Sequence, residues 1–283
     1  MASLTVVGSV NLDLVIRVER LPVPGETVSD GVFSRHPGGK GGNQALAARR
    51  LGADVSLVAA VGDDEAASVA LGLLEQAGVD LTRSWTHSSM ATGIAVILVA
   101  RDGENQIAVA PGANRALTPE SVELANGENV ICQLEIPLET VEATAARCTG
   151  FFALNAAPAR EVSKAVLKRA DLVIVNEIEH ATFGNELLEC KGLIAVTQGV
   201  LGATLYRHGR QVAKAASPAV EAIDTVGAGD AFVGALTVAV LNGFSPDQAL
   251  VRAVAAGALA TTVQGAQPSL PTAAAVEGLL ARR

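Results

Sequence analysis

The stretch Asp224-Thr-Val-Gly-Ala-Gly-Asp230, continued by Ala231-Phe-Val-Gly234, joins a strand-like segment to a helix, the junction from which α/β folds are built. Gly227 and Gly229 have no side chains, so backbone N–H groups can converge there. The helix start adds a partial positive charge, which makes the junction a candidate anion site. Asp230 lies beside it and could accept a hydroxyl proton during phosphoryl transfer. An acidic residue also stabilises a helix start, so the stretch by itself leaves both interpretations open.

Strand-like and helix-like segments alternate along the chain before and after this junction. Short β-rich runs predict strands at residues 4–8, 55–61, 130–132, 151–154, 172–175 and 193–197, with a β-meander at 204–212. Helical patterns cover residues 44–51, 65–77, 137–148, 160–168, 229–241, 246–263 and 272–280. This order predicts an α/β fold, a doubly wound, mostly parallel central sheet with helices on both faces.

Two extended stretches, near residues 12–33 and 91–110, do not fit that winding. Residues 93–100 and 105–110 flank Arg101-Asp-Gly-Glu104, whose Asp-Gly pair is a strong hairpin signal. We therefore predict a single α/β domain over residues 1–283, with a small β-sheet lid formed by about 12–35 and 90–112.

The composition narrows the classes of partner and compartment. The 283 residues include 21 basic and 29 acidic side chains, a formal net charge of −8, which argues against nucleic acid or an anionic membrane as partner. Aromatic residues make up 3%, too few for a base-stacking platform. Cys132, Cys148 and Cys190 show no C-x-x-C spacing and are read as buried thiols in a reducing compartment. The N-terminus lacks the basic region of a signal peptide, so we expect a cytoplasmic protein.

A second glycine-rich string, Gly38-Gly-Lys-Gly-Gly-Asn43, precedes the helix predicted at 44–51. It is not a P-loop, because that motif would need Gly at Ser34 and Ser or Thr at Gly41. Its backbone amides could contact a small polar ligand, and Asn43 could bond to vicinal hydroxyls. Such a string is nevertheless more often only a turn.

Polar residues also follow several predicted strands. Because the carboxyl ends of parallel strands carry ligands, we expect these residues near one site. Carboxylates among them could orient Mg²⁺-bound water, and glycines could approach a nucleotide phosphate. Each also has an ordinary structural role as a turn residue, a helix cap or a surface acid. They are Asn11 and Asp13, Glu135, Asn176 and Glu179, and Thr197, Gly199 and Gly202.

Taken together, these motifs resemble a known family. Gly8-Ser-Val-Asn-Leu-Asp13, Pro24-Gly-Glu-Thr27, Gly38–Asn43 and Asp224–Asp230 are similar to the two signatures of the ribokinase (PfkB-type) family of carbohydrate kinases. The resemblance extends over essentially the whole chain through Gly103-Glu-Asn-Gln106, Gly112-Ala-Asn114, Gln133-Leu-Glu135, Asn155-Ala-Ala-Pro-Ala-Arg160 and Gly265-Ala-Gln-Pro-Ser269. It implies ATP-dependent phosphorylation of the 5-hydroxyl of D-ribose. Deoxyribose, another pentose or a nucleoside is the alternative substrate.

The resemblance also implies roles for individual residues. Asp230 would be the catalytic base beside an anion hole formed by Gly227, Ala228 and Gly229. The sugar would be held by Asn11, Asp13, Gly39, Lys40, Gly41, Gly42, Asn43, Glu135 and Asp230. ATP would lie against Asn176, Thr197, Gln198, Gly199, Val200, Leu201, Gly202, Gly229 and Val254. Glu179 would help to place Mg²⁺ through water, and K⁺ would lie near Asp224, Val226, Ala260, Val263, Gly265 and Ser269.

In the same resemblance, the lid would close over the sugar and pair with the lid of a second copy, giving a homodimer. The chain departs from the family pattern in having a short segment between Asn176 and Thr197, Val254 where a polar residue often meets adenine, and Gly42 in place of a common Ala. The alternative from another class is a non-catalytic sugar-sensing module on the same fold. A dinucleotide-dependent oxidoreductase is disfavoured, because no G-x-G-x-x-G follows the first strand.

Overall fold

A computed structural model of the chain describes residues 2–282. Its strands are β1 (Ser3–Val7), β2 (Asn11–Val18), β3 (Val32–Gly38), β4 (Asp54–Val58), β5 (Ala60–Gly62), β6 (Trp85–His87), β7 (Gly93–Ala100), β8 (Asn105–Ala110), β9 (Val130–Gln133), β10 (Phe152–Asn155), β11 (Leu172–Asn176), β12 (Leu193–Thr197), β13 (Ala203–Arg207) and β14 (Arg210–Ala215).

The α-helices connect these strands and close the chain. They are α1 (Lys40–Arg50), α2 (Glu65–Ala77), α3 (Leu138–Arg147), α4 (Lys164–Arg169), α5 (Glu177–Phe183), α6 (Ala228–Leu241), α7 (Pro246–Ala260), α8 (Ala266–Ser269) and α9 (Ala273–Leu280). None of the helices within residues 2–282 combines the length and the apolar character needed to cross a bilayer.

The central sheet has the strand order β4-β1-β9-β10-β11-β12-β13-β14. Its strands from β4 to β12 pair in parallel, whereas β13 and β14 pair antiparallel at one edge. Parallel neighbours need crossover connections, and the helices that supply them cover the sheet. The predicted α/β fold with a mostly parallel sheet is confirmed.

Apolar side chains of the central strands alternate between two cores, one on each face of the sheet. Val6 and Ile131 pack into one core with residues of α1, α6 and α7. Their chain neighbours Val7 and Cys132 pack into the other core with residues of α3 and α4. Because successive side chains of a strand point to opposite faces, both cores follow from one apolar run per strand.

A smaller sheet in the described chain has the order β3-β2-β7-β8, with β2 and β7 parallel and both edges antiparallel. Its strands lie largely in the two extended stretches that the sequence analysis excludes from the parallel βα winding. β8 is exposed along its whole length. Its Ile107 and Val109 pair with Ile97 and Ala95, whose side chains are buried.

Several element boundaries differ from the sequence prediction. α1 begins at Lys40 rather than residue 44, because Gly41 and Gly42 form its first turn instead of a loop before it. A Cβ on Gly41 would lie 2.5 Å from the Ser9 nitrogen, so close packing on the chain after β1 requires glycine there. The predicted helix at 160–168 begins only at Lys164.

Candidate active site

Polar residues that the sequence places after strands lie together at the carboxyl ends of the central strands. Asn176 at the end of β11 is the register partner of Thr197 at the end of β12, and α6 begins opposite them. Between these elements lies a cavity of about 160 Å³, called here the polar cavity. Its lining consists of Lys40, Asn155, Ala157, Ile174, Val175, Asn176, Glu179, Thr197, Gly227, Gly229, Asp230 and Val233.

The buried carboxylate of Asp230 is held by two side-chain amides from α1. Asn43 Nδ2 donates to Oδ2 at 2.8 Å, and Gln44 Nε2 donates to Oδ1 at 2.8 Å. Burial raises the pKa of the Asp230 carboxyl above its ordinary value. The positive charge of Lys40 and the hydrogen bonds from the two side-chain amides partly offset this effect. The arrangement is a fixed carboxylate with raised basicity, which suits a general base.

Gln44 is a site residue that sequence reasoning missed. Its Nε2 also donates to Asn155 Oδ1 at 2.9 Å, and its Oε1 accepts from Gln133 Nε2 at 2.8 Å. The side chain is fully buried in an alanine-rich helix. Because a buried amide needs partners, a glutamine on the core face of a helix is the signal that could have identified it.

The start of α6 has the backbone features on which the predicted anion site depends. Gly227 caps the helix at φ +82°, a conformation that favours glycine, and a Cβ there would lie 2.9 Å from Ala266 Cα. A Cβ on Gly229 would meet no atom of the described chain within 4 Å. The α6 N-terminus therefore presents a positive dipole end beside Asp230, and the N–H of its first residue, Ala228, donates to Thr225 O at 3.3 Å.

Acidic residues surround a single lysine on the other side of Asp230. The Lys40 backbone N–H and the Ser9 hydroxyl donate to Glu135 Oε2 at 3.1 and 2.5 Å. Burial acts against the positive charge of Lys40, but the Asp230 carboxylate and then other nearby acids raise the pKa of its ammonium group. Burial, followed by the charges of Glu135 and Asp230, raises the pKa of Asp13 to about 7.

Asn11 and Asp13 belong to the small sheet, not to the exit of the first strand as the sequence suggested. They lie at the beginning of β2, three residues after β1 ends. Asn11 Oδ1 accepts from Asn114 Nδ2 at 2.8 Å, and Asn114 also bonds both backbone groups of Val10. The small sheet thus places these polar groups on the side of the site where α1 begins.

A larger, mostly apolar cavity of about 540 Å³ adjoins the polar cavity, and Thr197 and Gly229 line both. Val254 lies in its wall with Phe232 and Gly257. Other residues in the lining are Gly199, Val200, Gly202, Ser217, Pro218, Ala219, Val220, Ala222, Thr225, Ala228, Ala258 and Thr261.

Gln198 and Leu201, which the resemblance places at ATP, are not among the described residues that line this apolar cavity. The Gln198 N–H donates to Gly202 O at 2.8 Å inside the turn after β12, and Leu201 is exposed.

Asn176 and Glu179 form a capping box at the start of α5. Glu179 N–H donates to Asn176 Oδ1, and Asn176 N–H donates to Glu179 Oε2, each at 2.8 Å. Burial raises the pKa of Glu179. The helix-cap role that the sequence left open is therefore present, and it leaves Glu179 beside the polar cavity.

Two of the positions expected around K⁺, Val226 and Gly265, bond to the carboxylate of a third, Asp224. Its Oδ1 accepts from Val226 N–H and its Oδ2 from Gly265 N–H, each at 3.1 Å. The backbone N–H of Asp224 donates to Thr261 O, directly after Ala260 at the end of α7. Val263 is half exposed, and the Ser269 hydroxyl donates to Ala266 O at 2.8 Å. Within residues 2–282, no three His, Cys, Asp or Glu side chains cluster as a metal site would require.

Known proteins are similar to this chain over nearly its whole length. The model of the pfkB family of carbohydrate kinases matches residues 1–273. A ribokinase of Bacillus subtilis is 36% identical over 296 residues, covering 99% of this chain and 100% of its own. A deoxyribokinase of Salmonella typhi is 32% identical over 293 residues, covering 95% of each.

The similarity holds in three dimensions as well. The structure of an Arabidopsis thaliana ribokinase complexed with ribose and ATP superposes with a TM-score of 0.85 at 30% identity, covering 99% of each chain. The anion site, the buried carboxylate and these matches over nearly the full length lead to one conclusion: the chain belongs to the pfkB family of carbohydrate kinases and is an ATP-dependent sugar kinase.

Proposed function

We propose that the chain phosphorylates D-ribose at its 5-hydroxyl, giving ribose 5-phosphate and ADP. The observation that carries the proposal is the buried Asp230 carboxylate at the N-terminus of α6, which two side-chain amides of α1 hold against the polar cavity, next to the apolar one. The ribokinase similarity over 99% of the chain supports ribose as the sugar.

In this mechanism Asp230 accepts the proton of the 5-hydroxyl as that oxygen attacks the γ-phosphorus of ATP. The new bond joins the sugar oxygen to phosphorus, and the bond between the γ-phosphorus and the bridging oxygen breaks to release ADP. The backbone N–H groups of Gly227, Ala228 and Gly229 and the α6 dipole stabilise the negative charge on the transferred group.

The sugar lies beside Asp230, on the side of this carboxylate where the start of α1 and the small sheet meet. Asn43 Oδ1 is buried and has no hydrogen-bond partner in the described part of the chain, while its Nδ2 is bound to Asp230. A buried acceptor of this kind needs a donor, and a sugar hydroxyl supplies one. Asn11, Asp13, Glu135 and the α1 start from Gly39 to Gly42 offer further groups to the remaining hydroxyls.

Cations complete the proposal for the nucleotide side. Mg²⁺ binds chiefly through substrate phosphates and few carboxylates, which fits a single acid, Glu179, acting through water while its Oε2 caps α5. When bound, the ion neutralises charge on the phosphates. A monovalent cation such as K⁺ fits the turn where Asp224, Val226 and Gly265 meet, with backbone carbonyls as additional ligands.

A panel of sugars tests the substrate directly. We expect ADP release with ribose to have a higher kcat/KM than with deoxyribose, other pentoses or nucleosides. Deoxyribose is the strongest competitor, because a deoxyribokinase shares 32% identity over 95% of the chain. A higher kcat/KM for any other sugar contradicts the assignment. Sugar binding without ADP release from any sugar favours the non-catalytic sensing module.

Replacing the base tests the mechanism. Asp230→Asn removes the proton acceptor but keeps the shape, so kcat should fall about 10²–10⁴-fold while calorimetry still detects ribose binding. Asp247→Asn is the matched control, since Asp247 is an exposed acid in the first turn of α7, and it should retain normal turnover. Near-normal kcat in the Asp230 variant would exclude this residue as the base.

The pH profile tests the part played by Gln44. Its hydrogen bond stabilises ionised Asp230, so Gln44→Met should raise the pKa of the base further. Because the base must be deprotonated, the acidic limb of kcat/KM against pH should move to higher pH.

Gln267→Met is the control for that measurement. Gln267 is also a fully buried glutamine, and its side-chain amide has no hydrogen-bond partner among the described residues. The limb should stay in place in this variant. A Gln44 variant with an unmoved or lowered limb would show that its amide does not tune Asp230.

The small sheet suits two further roles: a lid over the sugar, and a homodimer interface. Ile107 and Val109 lie on the face of β8 that continues the buried face of β7, yet 58% and 51% of their surfaces are exposed. An exposed apolar edge strand of this kind is stabilised by pairing with a second copy.

We expect the unmodified chain to sediment as a dimer, and Ile107→Glu to sediment as a monomer because a charge cannot be buried in that interface. Val23→Glu, at an exposed apolar residue between β2 and β3, should leave the dimer intact. A monomeric unmodified chain, or an unaltered dimer in the Ile107 variant, would remove the small sheet as the interface.

A further inference from the structure

An ion pair links the small sheet to the loop that precedes α6. Arg17 lies on β2, on the same face as Asp13 and Val15, and its Nη2 is 3.2 Å from Asp224 Oδ2. The two residues are 207 positions apart in the sequence. The side chain of Arg17 is 38% exposed and that of Asp224 is 11% exposed, so the contact is shielded from water on the carboxylate side.

The Asp224 carboxylate also holds the backbone of its own loop through hydrogen bonds. One carboxylate oxygen holds the Val226 N–H, and the other holds the Gly265 N–H. Val226 leads directly into the Gly227 cap of α6, so the position of the anion site depends on this carboxylate. A partly buried carboxylate in such a position needs a compensating positive charge, and Arg17 supplies it.

The space beside the ion pair is small. A cavity of about 20 Å³ lies between the small sheet and the loop, bordered by Arg17, His36, Asp224, Val226 and Gly265. That volume accommodates one water-sized group. A cation in it would lie next to the guanidinium, and two like charges at that distance repel each other strongly.

We propose that Arg17 is a built-in cation that competes with monovalent metal ions for Asp224. While the guanidinium is in place, it supplies the positive charge that orders the loop before α6, and K⁺ binds weakly. The location of the K⁺ site is the part of this inference that rests on the proposed function. Arg17 is a positioning residue, since it acts on the anion site through Asp224.

The test compares Arg17→Gln with the unmodified chain by thermal unfolding in KCl and in tetramethylammonium chloride at equal ionic strength. A ligand that binds only the folded chain raises Tm, and at a given concentration a tighter ligand raises it more. We expect the unmodified chain to have nearly the same Tm in both salts. The variant should have a lower Tm in tetramethylammonium chloride and recover it in KCl.

A titration with Tl⁺, followed by ²⁰⁵Tl NMR, measures the same competition directly. Arg17→Gln should bind the ion about tenfold more tightly than the unmodified chain, a size typical of coupling between two ligands. Arg17→Lys keeps the charge and should keep the weak affinity. Arg101→Gln is the matched control: Arg101 forms an exposed ion pair with Glu19 on the same sheet, and its loss should change neither measurement.

Equal Tl⁺ affinity in the Arg17→Gln variant and the unmodified chain would overturn the proposal. So would a Tm of the variant that does not respond to KCl, or an unmodified chain that responds as strongly as the variant. These measurements use neither sugar nor ATP, so a chain that phosphorylates a sugar other than ribose would give the same result. Failure of the ribose assignment is thereby distinguished from failure of this inference.

Discussion

The burial of the Asp230 carboxylate is the constraint on which the rest of the site depends. A buried charge needs donors close by, and Asn43 and Gln44 on α1 provide them. Their reach requires α1 and α6 to approach closely, and Gly234 permits it, since a Cβ there would lie 2.8 Å from the Cβ of Ala47. The helix contact, the glycine and the two amides therefore serve one requirement: an ionisable base held in place without access to bulk water.

The same constraint explains how an acidic chain handles a polyanionic substrate. A formal charge of −8 argues against a basic phosphate-binding surface, and the polar cavity contains Lys40 beside the carboxylates of Glu179 and Asp230. In the proposed function, positive potential would come instead from the backbone N–H groups at the α6 start, which Gly227 and Gly229 leave unobstructed. The carboxylates would then serve to bind protons and hydroxyl groups.

The features that could be predicted from the sequence are those that depend on a few neighbouring residues. The apolar runs of the strands have a local cause, so the α/β fold could be predicted from them, and the glycines of 224–230 mark the start of α6 in the same way. Gln44 leaves only a weak signal, its place on the core face of a helix, because its hydrogen-bond partners come from β9, β10 and α6. The start of α1 was misplaced for a related reason: Gly41 resembles a helix breaker until Ser9 is seen packed against it. Arg17 has no local pattern at all, since its partner is 207 residues away.

One strand of the small sheet, β2, runs from the proposed sugar side of the site to the loop before α6. Asp13 and Arg17 are four residues apart on β2 and therefore lie on the same face. Asp13 faces the acids around Lys40, where the sugar is placed, while Arg17 holds the loop that leads into the anion site. A rigid tilt of this sheet changes both contacts together, because strand geometry fixes their spacing. In the proposed function, closure of the small sheet over the sugar would act on the start of α6 through Asp224, so β2 would link sugar binding to phosphate positioning.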